Sequence, residues 1–564
     1  MGRHHGYLHH TFRIRATLRV RPHTPELAEW YRAEGYWTDR LLIDFLESAV
    51  RRFPDKTAII DDRFGSITYL ALQERVFRLS IALYQRGVRS GDRFVIALPN
   101  WHHVPLVMLA LGYIGAISVH MPVMGREREF EGVLRVSGAK GLVVPDCYHG
   151  HDYVSMIDPI TQELEGLDLK VSIELGDSKP GWLDFEQLLE EAHTSLPDPD
   201  WRPNPDDITS VLFTSGSSGD PKGVIHSANT LGALNTTLAP IYGFGPDDVI
   251  FMAASLGFSA GLIHGPRLAL FLGTTLILQE SWNAEQALET MAREGAAFTL
   301  FTPTLLHDLL ESDALAQYGP RLALQLILCG GSNVPRHLLR SARERLPDTL
   351  TSVIWGMTEG IGSSCWPQDT PERVTETDGK AFLGTELDIL GLDGERLPRG
   401  VEGELIMRGP QRFLGYFGRP ELDDEIFLPD GWLHTGDVAM IDSEGYVTIL
   451  GRSKETIIRG GANISPAEVE TVLSSDPQIR QIAVVAIADE RLGQRLCACI
   501  VPAESGAGPT LDDVKNMAER AGLAKYKWPE HVRIVESLPM TSSGKVLRRV
   551  LQQQTLAALE DDVG

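Results

Sequence analysis

The sequence is short of three things, and each shortage excludes a class of protein. Cysteine is the first: Cys147, Cys329, Cys365, Cys497 and Cys499 are the only five in 564 residues. An odd, scattered set does not make a disulfide framework, so a small stapled scaffold is excluded. Cys497 and Cys499 stand two apart on an apolar run and are expected on one face of a strand, as structural thiols. Positive charge is the second. Lys and Arg number 52 against 76 Asp and Glu, a formal net charge of −24. That balance lacks the basic footprint of a nucleic-acid binder, yet it permits an anionic small ligand held by local groups. Clean transmembrane runs are the third. Val104 to Met124 carries no Asp, Glu, Lys or Arg and is long enough to cross a bilayer. Pro105, Gly112, Gly115 and Pro122 interrupt it. A buried helix followed by a buried strand fits better, and no integral membrane association is expected. The Arg-rich first residues lack an apolar signal core, which leaves a cytoplasmic protein as the expectation.

What is present is an alternation. Leu72, Val76, Leu79 and Leu83 fall at helical spacing, and Arg93 to Leu98 follows as a short apolar strand. Helix then strand recurs at 104–116 and 117–123, 129–137 and 140–145, 284–295 and 297–301, and 335–346 and 350–355. Such alternation predicts parallel sheets covered on both faces. The Pro-, Asp- and Glu-rich stretch 181–209 reads as a surface connection. From about residue 395 strands with Gly-containing turns predict antiparallel structure, as in Gly403–Arg408 and Tyr446–Leu450. After Gly451-Arg452 a smaller α+β unit begins, with helices near 466–473 and 511–521 and strands near 480–487 and 495–501.

The densest chemical signal is Thr214-Ser-Gly-Ser-Ser-Gly-Asp-Pro-Lys-Gly223, directly after the apolar Val211-Leu-Phe213. Glycines let backbone N–H groups approach a phosphate, hydroxyls donate to it and Lys222 adds a point charge. The pattern is not the Walker one, in which Lys follows Gly and precedes Ser or Thr. A Ser/Gly linker is the plain alternative, but a strand leads into this loop and a lysine sits within it.

The segment resembles the phosphate loop of the adenylate-forming superfamily, which holds acyl- and aryl-CoA synthetases, adenylation domains and luciferases. Further segments follow in the family's order: Trp355-Gly-Met-Thr-Glu359, Gly431-Trp-Leu-His-Thr-Gly-Asp437, Gly451-Arg-Ser-Lys454, Gly460-Gly-Ala-Asn-Ile-Ser-Pro-Ala-Glu468 and Pro539-Met-Thr-Ser-Ser-Gly-Lys545. Leu98–His102, Leu383–Glu386 and Arg459–Pro466 are most similar to cyclohexanecarboxylate-CoA ligase-like acyl-CoA synthetases. Tyr31–Trp37 resembles aryl-acid adenylating enzymes. The resemblance implies an α/β fold: a large N-terminal AMP-binding region, 1–451, of αβαβα-layered sheets with a small β-barrel-like subdomain. A small mobile α+β lid, 452–564, would follow it.

The chemistry implied is two-step. A carboxylate attacks the α-phosphate of ATP and pyrophosphate leaves; a thiol, that of CoA, then attacks the acyl carbon and AMP leaves. By the resemblance, Thr214, Ser215, Gly216, Ser217, Ser218, Gly219 and Lys222 hold the outer phosphates. Thr358 contacts the α-phosphate and Glu359 ligates Mg²⁺, which favours hard carboxylate oxygen. Gly330, Gly331 and Ser332, with Trp355, Gly356 and Met357, line the adenine. Trp355 stands where the family usually has Tyr; its ring can stack on a base, and the lost hydroxyl leaves any bond made there open. Asp437 and Arg452 hold the ribose. Lys545 serves the first step, Lys454 is the hinge, and Gly460 and Gly461 serve the thioester step. Phe258, Ser259 and Gly261 line the acid pocket. Amino-acid-activating relatives carry Asp where Ser259 stands. An unpaired ammonium among apolar neighbours is costly, so a hydrophobic acid is expected: medium-chain, alicyclic or aryl. The acceptor stays open between CoA and a carrier-protein phosphopantetheine. Lys525, Lys527, Arg548 and Arg549 offer a basic patch for either. A non-catalytic binding relative is the remaining alternative, opposed by Lys222, Glu359, Asp437 and Lys545.

Overall fold

The computed structural model describes residues 20–176, 179–192, 202–214, 222–391, 393–452, 457–459, 462–489, 493–503, 508–521, 523, 525–540 and 545–561. Two large sheets dominate it. One has nine strands, with a parallel middle formed by Leu350–Met357, Leu326–Cys329, Ala296–Phe301, Val249–Met252, Leu276–Leu278 and Thr57–Asp61. The other has seven; Ile208–Thr214, Ile117–His120, Arg93–Ile96, Gly141–Pro145, Leu169–Ile173 and Leu183–Asp184 run parallel, and Lys222–Ser227 closes one edge antiparallel.

Burial on both faces explains why these strands are short continuous apolar runs. One core joins both sheets with the helices between them, Leu42–Arg52, Tyr69–Gln85 and His103–Tyr113. The expected Leu72, Val76, Leu79 and Leu83 are the buried stripe of the second of these, and Thr68 caps it by accepting the N–H of Ala71 at 3.2 Å. The uncharged stretch 104–124 runs through the third helix and the strand after it and is buried for most of its length, with Met124 exposed at its end. A second core covers the far face of the nine-stranded sheet with helices Ala284–Glu294, Pro303–Glu311 and Arg336–Arg345. Among the described residues no helix is long and apolar enough to cross a membrane.

Asn100, just past strand Arg93–Ile96, fastens the two sheets. Its Nδ2 donates to the carbonyls of Ala253 (3.1 Å), Ala254 (3.1 Å) and Gln279 (3.2 Å), and its Oδ1 accepts the N–H of Leu256 at 2.9 Å. One side chain thus aligns the carboxyl ends of strands from both sheets.

The antiparallel part is a four-stranded sheet, Glu386–Leu390, Gly403–Arg408, Leu433–Ile441 and Val447–Arg452, with its own core. A five-stranded sheet follows, in which Gly493–Pro502 lies between Ile479–Asp489 and His531–Ile534. Cys497 and Cys499 share one buried cluster there, as two-residue spacing requires, and all five cysteines are free thiols.

The stretch 181–209 differs from its sequence reading. It is not a surface connection throughout: Leu183–Asp184 joins the seven-stranded sheet and Phe185–Glu190 forms a helix burying Phe185, Leu188 and Leu189. Asp184, counted as a loop residue by composition, caps that helix through the N–H groups of Glu186 and Gln187.

Candidate active site

Thr214, Gly330, Thr358 and Glu359 lie at or just past the carboxyl ends of parallel strands, where open α/β sheets hold ligands. Gly330 follows strand Leu326–Cys329. A Cβ there would lie 2.6 Å from the carbonyl oxygen of Ile354 on the next strand, so only glycine lets the two strand ends close up. Gly331 and Ser332 are exposed beyond it. In the seven-stranded sheet Thr214 pairs with Lys222 across the base of the loop between them. Ser215, Gly216, Ser217, Ser218 and Gly219 lie outside the described residues, as do Lys454, Gly460 and Gly461.

Glu359 sits in the turn between strands Leu350–Met357 and Gly360–Ser364 and is half-buried. The Tyr416 hydroxyl donates to its Oε1 at 2.5 Å, and its backbone carbonyl accepts the N–H of Phe413 at 2.9 Å. Burial, and next the Glu359 charge, push the Tyr416 phenol far above its ordinary range, so it stays a donor. The Lys222 ammonium stands 5.4 Å from the centre of the Tyr416 ring. One tyrosine therefore bridges the phosphate-loop lysine and the acidic residue. Tyr416 is absent from the sequence-level candidates, because its partners are 57 and more positions away in the chain.

Thr358 is held from two sides. Its hydroxyl lies 3.0 Å from that of Ser259, at the start of helix Ser259–Leu262. Its carbonyl oxygen lies 2.8 Å from Nε2 of His226. Burial drives the His226 pKa down to about 4, so the ring is neutral. A carbonyl only accepts, so Nε2 carries the proton and Nδ1 accepts from the Thr230 hydroxyl at 3.0 Å. Phe258 is half-buried next to Ser259. Gly261 is buried against the chain at Ala254 and Ser255: a Cβ there would meet the Ser255 carbonyl oxygen at 2.4 Å.

The third cluster centres on Asp437. Arg452 Nε donates to its Oδ1 at 2.8 Å, and the Trp355 indole N–H donates to its Oδ2, also at 2.8 Å. Thr435 accepts the Asp437 N–H at 3.2 Å. Asp437 and Arg452 face each other on adjacent antiparallel strands, which explains how residues fifteen apart meet. The Trp355 ring is buried in the core of the four-stranded sheet. It lies flat enough against Gly362 that a Cβ there would come within 2.2 Å of it. Tryptophan in place of tyrosine thus retains a donor, and that donor is spent on Asp437. Gly356 and Met357 continue the same strand toward Thr358.

Lys545 is exposed, in the stretch that leads into helix Arg548–Asp561. The small unit touches the large one where Asn333, beside Ser332, donates to the Thr471 hydroxyl at 3.2 Å. Two of the four expected basic residues are engaged within the small unit. Lys527 pairs with Glu468 at 2.6 Å and Arg548 with Glu470 at 2.5 Å.

The chain is similar to known proteins over most of its length. The family described as AMP-binding enzyme matches residues 46–417, and the AMP-binding enzyme C-terminal domain matches residues 468–545. The chain is 34% identical over 535 residues to a medium-chain fatty-acid–CoA ligase of Escherichia coli (strain K12), covering 94% of each chain. It is 32% identical to a salicyl-AMP ligase / salicyl-S-ArCP synthetase of Mycobacterium tuberculosis, again over 94% of each. An anthranilate CoA ligase solved with anthranoyl-AMP superposes with a TM-score of 0.83 at 25% identity, over 92% of this chain and 98% of that one. ATP-bound MatB from Rhodopseudomonas palustris superposes with a TM-score of 0.80 at 26% identity, over 90% and 98%.

Proposed function

The chain belongs to the AMP-binding enzyme family and is an adenylate-forming acid ligase; from that premise we propose that it activates a hydrophobic carboxylic acid and passes the acyl group to CoA. The observation that supports this reading is that Tyr416 joins Glu359 to Lys222 next to Thr358, while Trp355, on the strand leading to Thr358, holds Asp437. In the first step a carboxylate oxygen attacks the α-phosphorus of ATP, and the bond to the bridging oxygen breaks to release pyrophosphate. In the second the CoA sulfur attacks the acyl carbon, the acyl–phosphate C–O bond breaks, AMP leaves and the thiol proton passes to solvent.

The chain's own groups then divide the work by position and charge. Thr214 to Gly219 and Lys222 hold the outer phosphates, Thr358 the α-phosphate, and Asp437 with Arg452 the ribose hydroxyls. Gly330 to Ser332, Gly356 and Met357 border the base. Glu359 fits Mg²⁺: one oxygen takes the Tyr416 hydroxyl, and a single hard carboxylate beside phosphates and water suits that ion. When bound, Mg²⁺ neutralises charge building on the phosphates. Lys545, on the 452–564 unit, stabilises the first step; Lys454 is the hinge, and Gly460 and Gly461 serve the second. Phe258, Ser259 and Gly261 border the acid.

CoA is favoured over an acidic carrier protein by the pairing of Lys527 and Arg548 with Glu468 and Glu470. Steering a protein face needs a field of several cations, whereas the single CoA 3′-phosphate needs only one or two. The test is ATP–pyrophosphate exchange across a panel of acids, then product analysis with CoA and with a loaded carrier. Lys545→Ala should lower exchange by roughly a thousandfold, several kcal/mol of barrier, and spare thiolysis of supplied acyl-adenylate. Wild-type exchange in that variant overturns the role of Lys545.

A further inference from the structure

Behind Thr358 the acid side of the site holds a set of basic groups that the reading above does not use. The helical run that begins at Ser259 widens into a π-turn over Ile263–Arg267 and returns to α-helix over Leu268–Leu272. Wide turns of this kind recur at functional sites. Two side chains one turn apart on that run, His264 and Arg267, are buried. Opposite them, on strand Ile117–His120, His120 is buried as well. His120 Nε2 lies 3.1 Å from the Ser118 hydroxyl, and that hydroxyl lies 3.0 Å from Ser210 on the next strand. Ser210 pairs with His226, so this polar row ends at the histidine that holds Thr358.

Three nitrogens of the group have no partner among the described residues: Nε of Arg267, Nε2 of His264 and Nδ1 of His120. Buried nitrogens without partners call for an explanation. Ordered water can satisfy an imidazole, but it cannot neutralise a guanidinium. Arg267 is buried to 5% exposure, no carboxylate pairs with it among the described residues, and burial lowers its pKa only to about 10, so it stays charged. The same burial holds His264 near 4, neutral; its Nδ1 donates to the Ala260 carbonyl at 2.8 Å, so Nε2 carries a lone pair and no charge. A lone buried cation costs several kcal/mol unless an anion joins it. The described residues supply none, and the reacting carboxylate is claimed by the Thr358 end. Arg267 lies eight residues further along the helical run than Ser259, about 12 Å at helical rise.

We propose that Arg267 binds a second carboxylate at the far end of the acid, so that the substrate is a dicarboxylic acid with an apolar body. This rests on the acid-ligase reading and narrows it. Apolar neighbours such as Leu262 and Ile263 take the middle of the molecule, and the guanidinium takes the distal anion, preferably through two parallel N–H donors.

The experiment compares matched pairs, octanoate with suberate and decanoate with sebacate, by ATP–pyrophosphate exchange. Wild type is expected to show a kcat/KM for the diacid more than about tenfold above the monoacid. Arg267→Met keeps length and volume but removes charge. It should lower kcat/KM for the diacid by roughly a hundredfold, mainly through the KM of the acid, raise that for the monoacid, and leave the KM for ATP unchanged. Arg267→Lys should keep the diacid preference. Exchange by wild type with monoacids only, or an equal loss on both acids in Arg267→Met at an unchanged melting temperature, overturns the proposal and leaves the ligase reading standing. Exchange with no acid at all overturns the ligase reading itself and the proposal with it.

Discussion

The two walls of the site handle charge in opposite ways. On the nucleotide wall the candidate ligand-binding charges have partners: Asp437 has Arg452 and the Trp355 indole, Glu359 has Tyr416, and Lys222 stands over the Tyr416 ring. On the acid wall Arg267 and two histidines end in nitrogens that no described residue satisfies. A wall whose charges are already paired is preorganised, and it holds its geometry before the ligand arrives. A wall with an unpaired cation depends on the ligand to complete it. The difference teaches that nucleotide binding is built into this chain, while acid selection is left to whatever the acid itself brings.

The largest test of the paired wall is Asp437→Ala. It removes the acceptor proposed for two ribose hydroxyls and takes away the oxygen partners of Arg452 Nε and Trp355 Nε1. Hydrogen bonds to a charged group contribute about 1.5–3 kcal/mol each, so kcat/KM for ATP should fall roughly a thousandfold. Kinetics at saturating acid measure it. A loss below about tenfold would remove Asp437 from the nucleotide site.

Trp355→Phe sharpens the comparison further. Phenylalanine fills the space against Gly362 but lacks the N–H that holds Asp437 Oδ2. The KM for ATP should rise about tenfold through the loss of one charge-assisted bond, with the KM for the acid unchanged. Dideoxy-ATP, which lacks the ribose hydroxyls, should not discriminate between variant and wild type. An equal rise with both nucleotides would show that Trp355 acts on the base rather than through Asp437.

These residues also mark how far the sequence can be read. Thr358, Glu359, Asp437 and Arg452 stand in short local segments and are visible without coordinates. The alternation of helix and strand is visible for the same reason, since burial on both faces leaves an apolar run in the chain. Tyr416, His226 and Arg267 are not visible as site residues. Tyr416 meets Glu359 only because the segment 413–417 lies along strand Lys222–Ser227. His226 acts on Thr358 from 132 positions away. Arg267 is one cation in an apolar stretch, Leu262–Leu272, and its burial without an anion among the described residues singles it out. The segment 181–209 fails in the other direction: acidic composition hides a helix whose apolar face is three residues, Phe185, Leu188 and Leu189.

One group on the nucleotide wall breaks the pattern of paired charge, and its effect is the smallest of those argued here. Asp423 accepts the N–H of Tyr416 through Oδ1 at 2.8 Å, but its Oδ2 is buried without a partner among the described residues. Burial raises its pKa from 3.8 to about 6, with the charges of Asp424 and Glu421 adding to that against the Tyr416 N–H and Arg21. Between those two values the folded state holds a proton that the unfolded chain has released. The stabilisation from that proton is complete below the unfolded pKa and is lost as pH rises through about 6. Asp423→Asn keeps the acceptor for Tyr416 and is neutral at every pH. Its melting temperature should exceed that of wild type at about pH 8 and converge with it as the pH falls toward 4, where both side chains are uncharged. Thermal melts across that range measure the gap. A gap that stays constant with pH would mean that Asp423 ionises in the fold as freely as in the unfolded chain, and that the Tyr416 loop, like the rest of its wall, carries no unpaired charge.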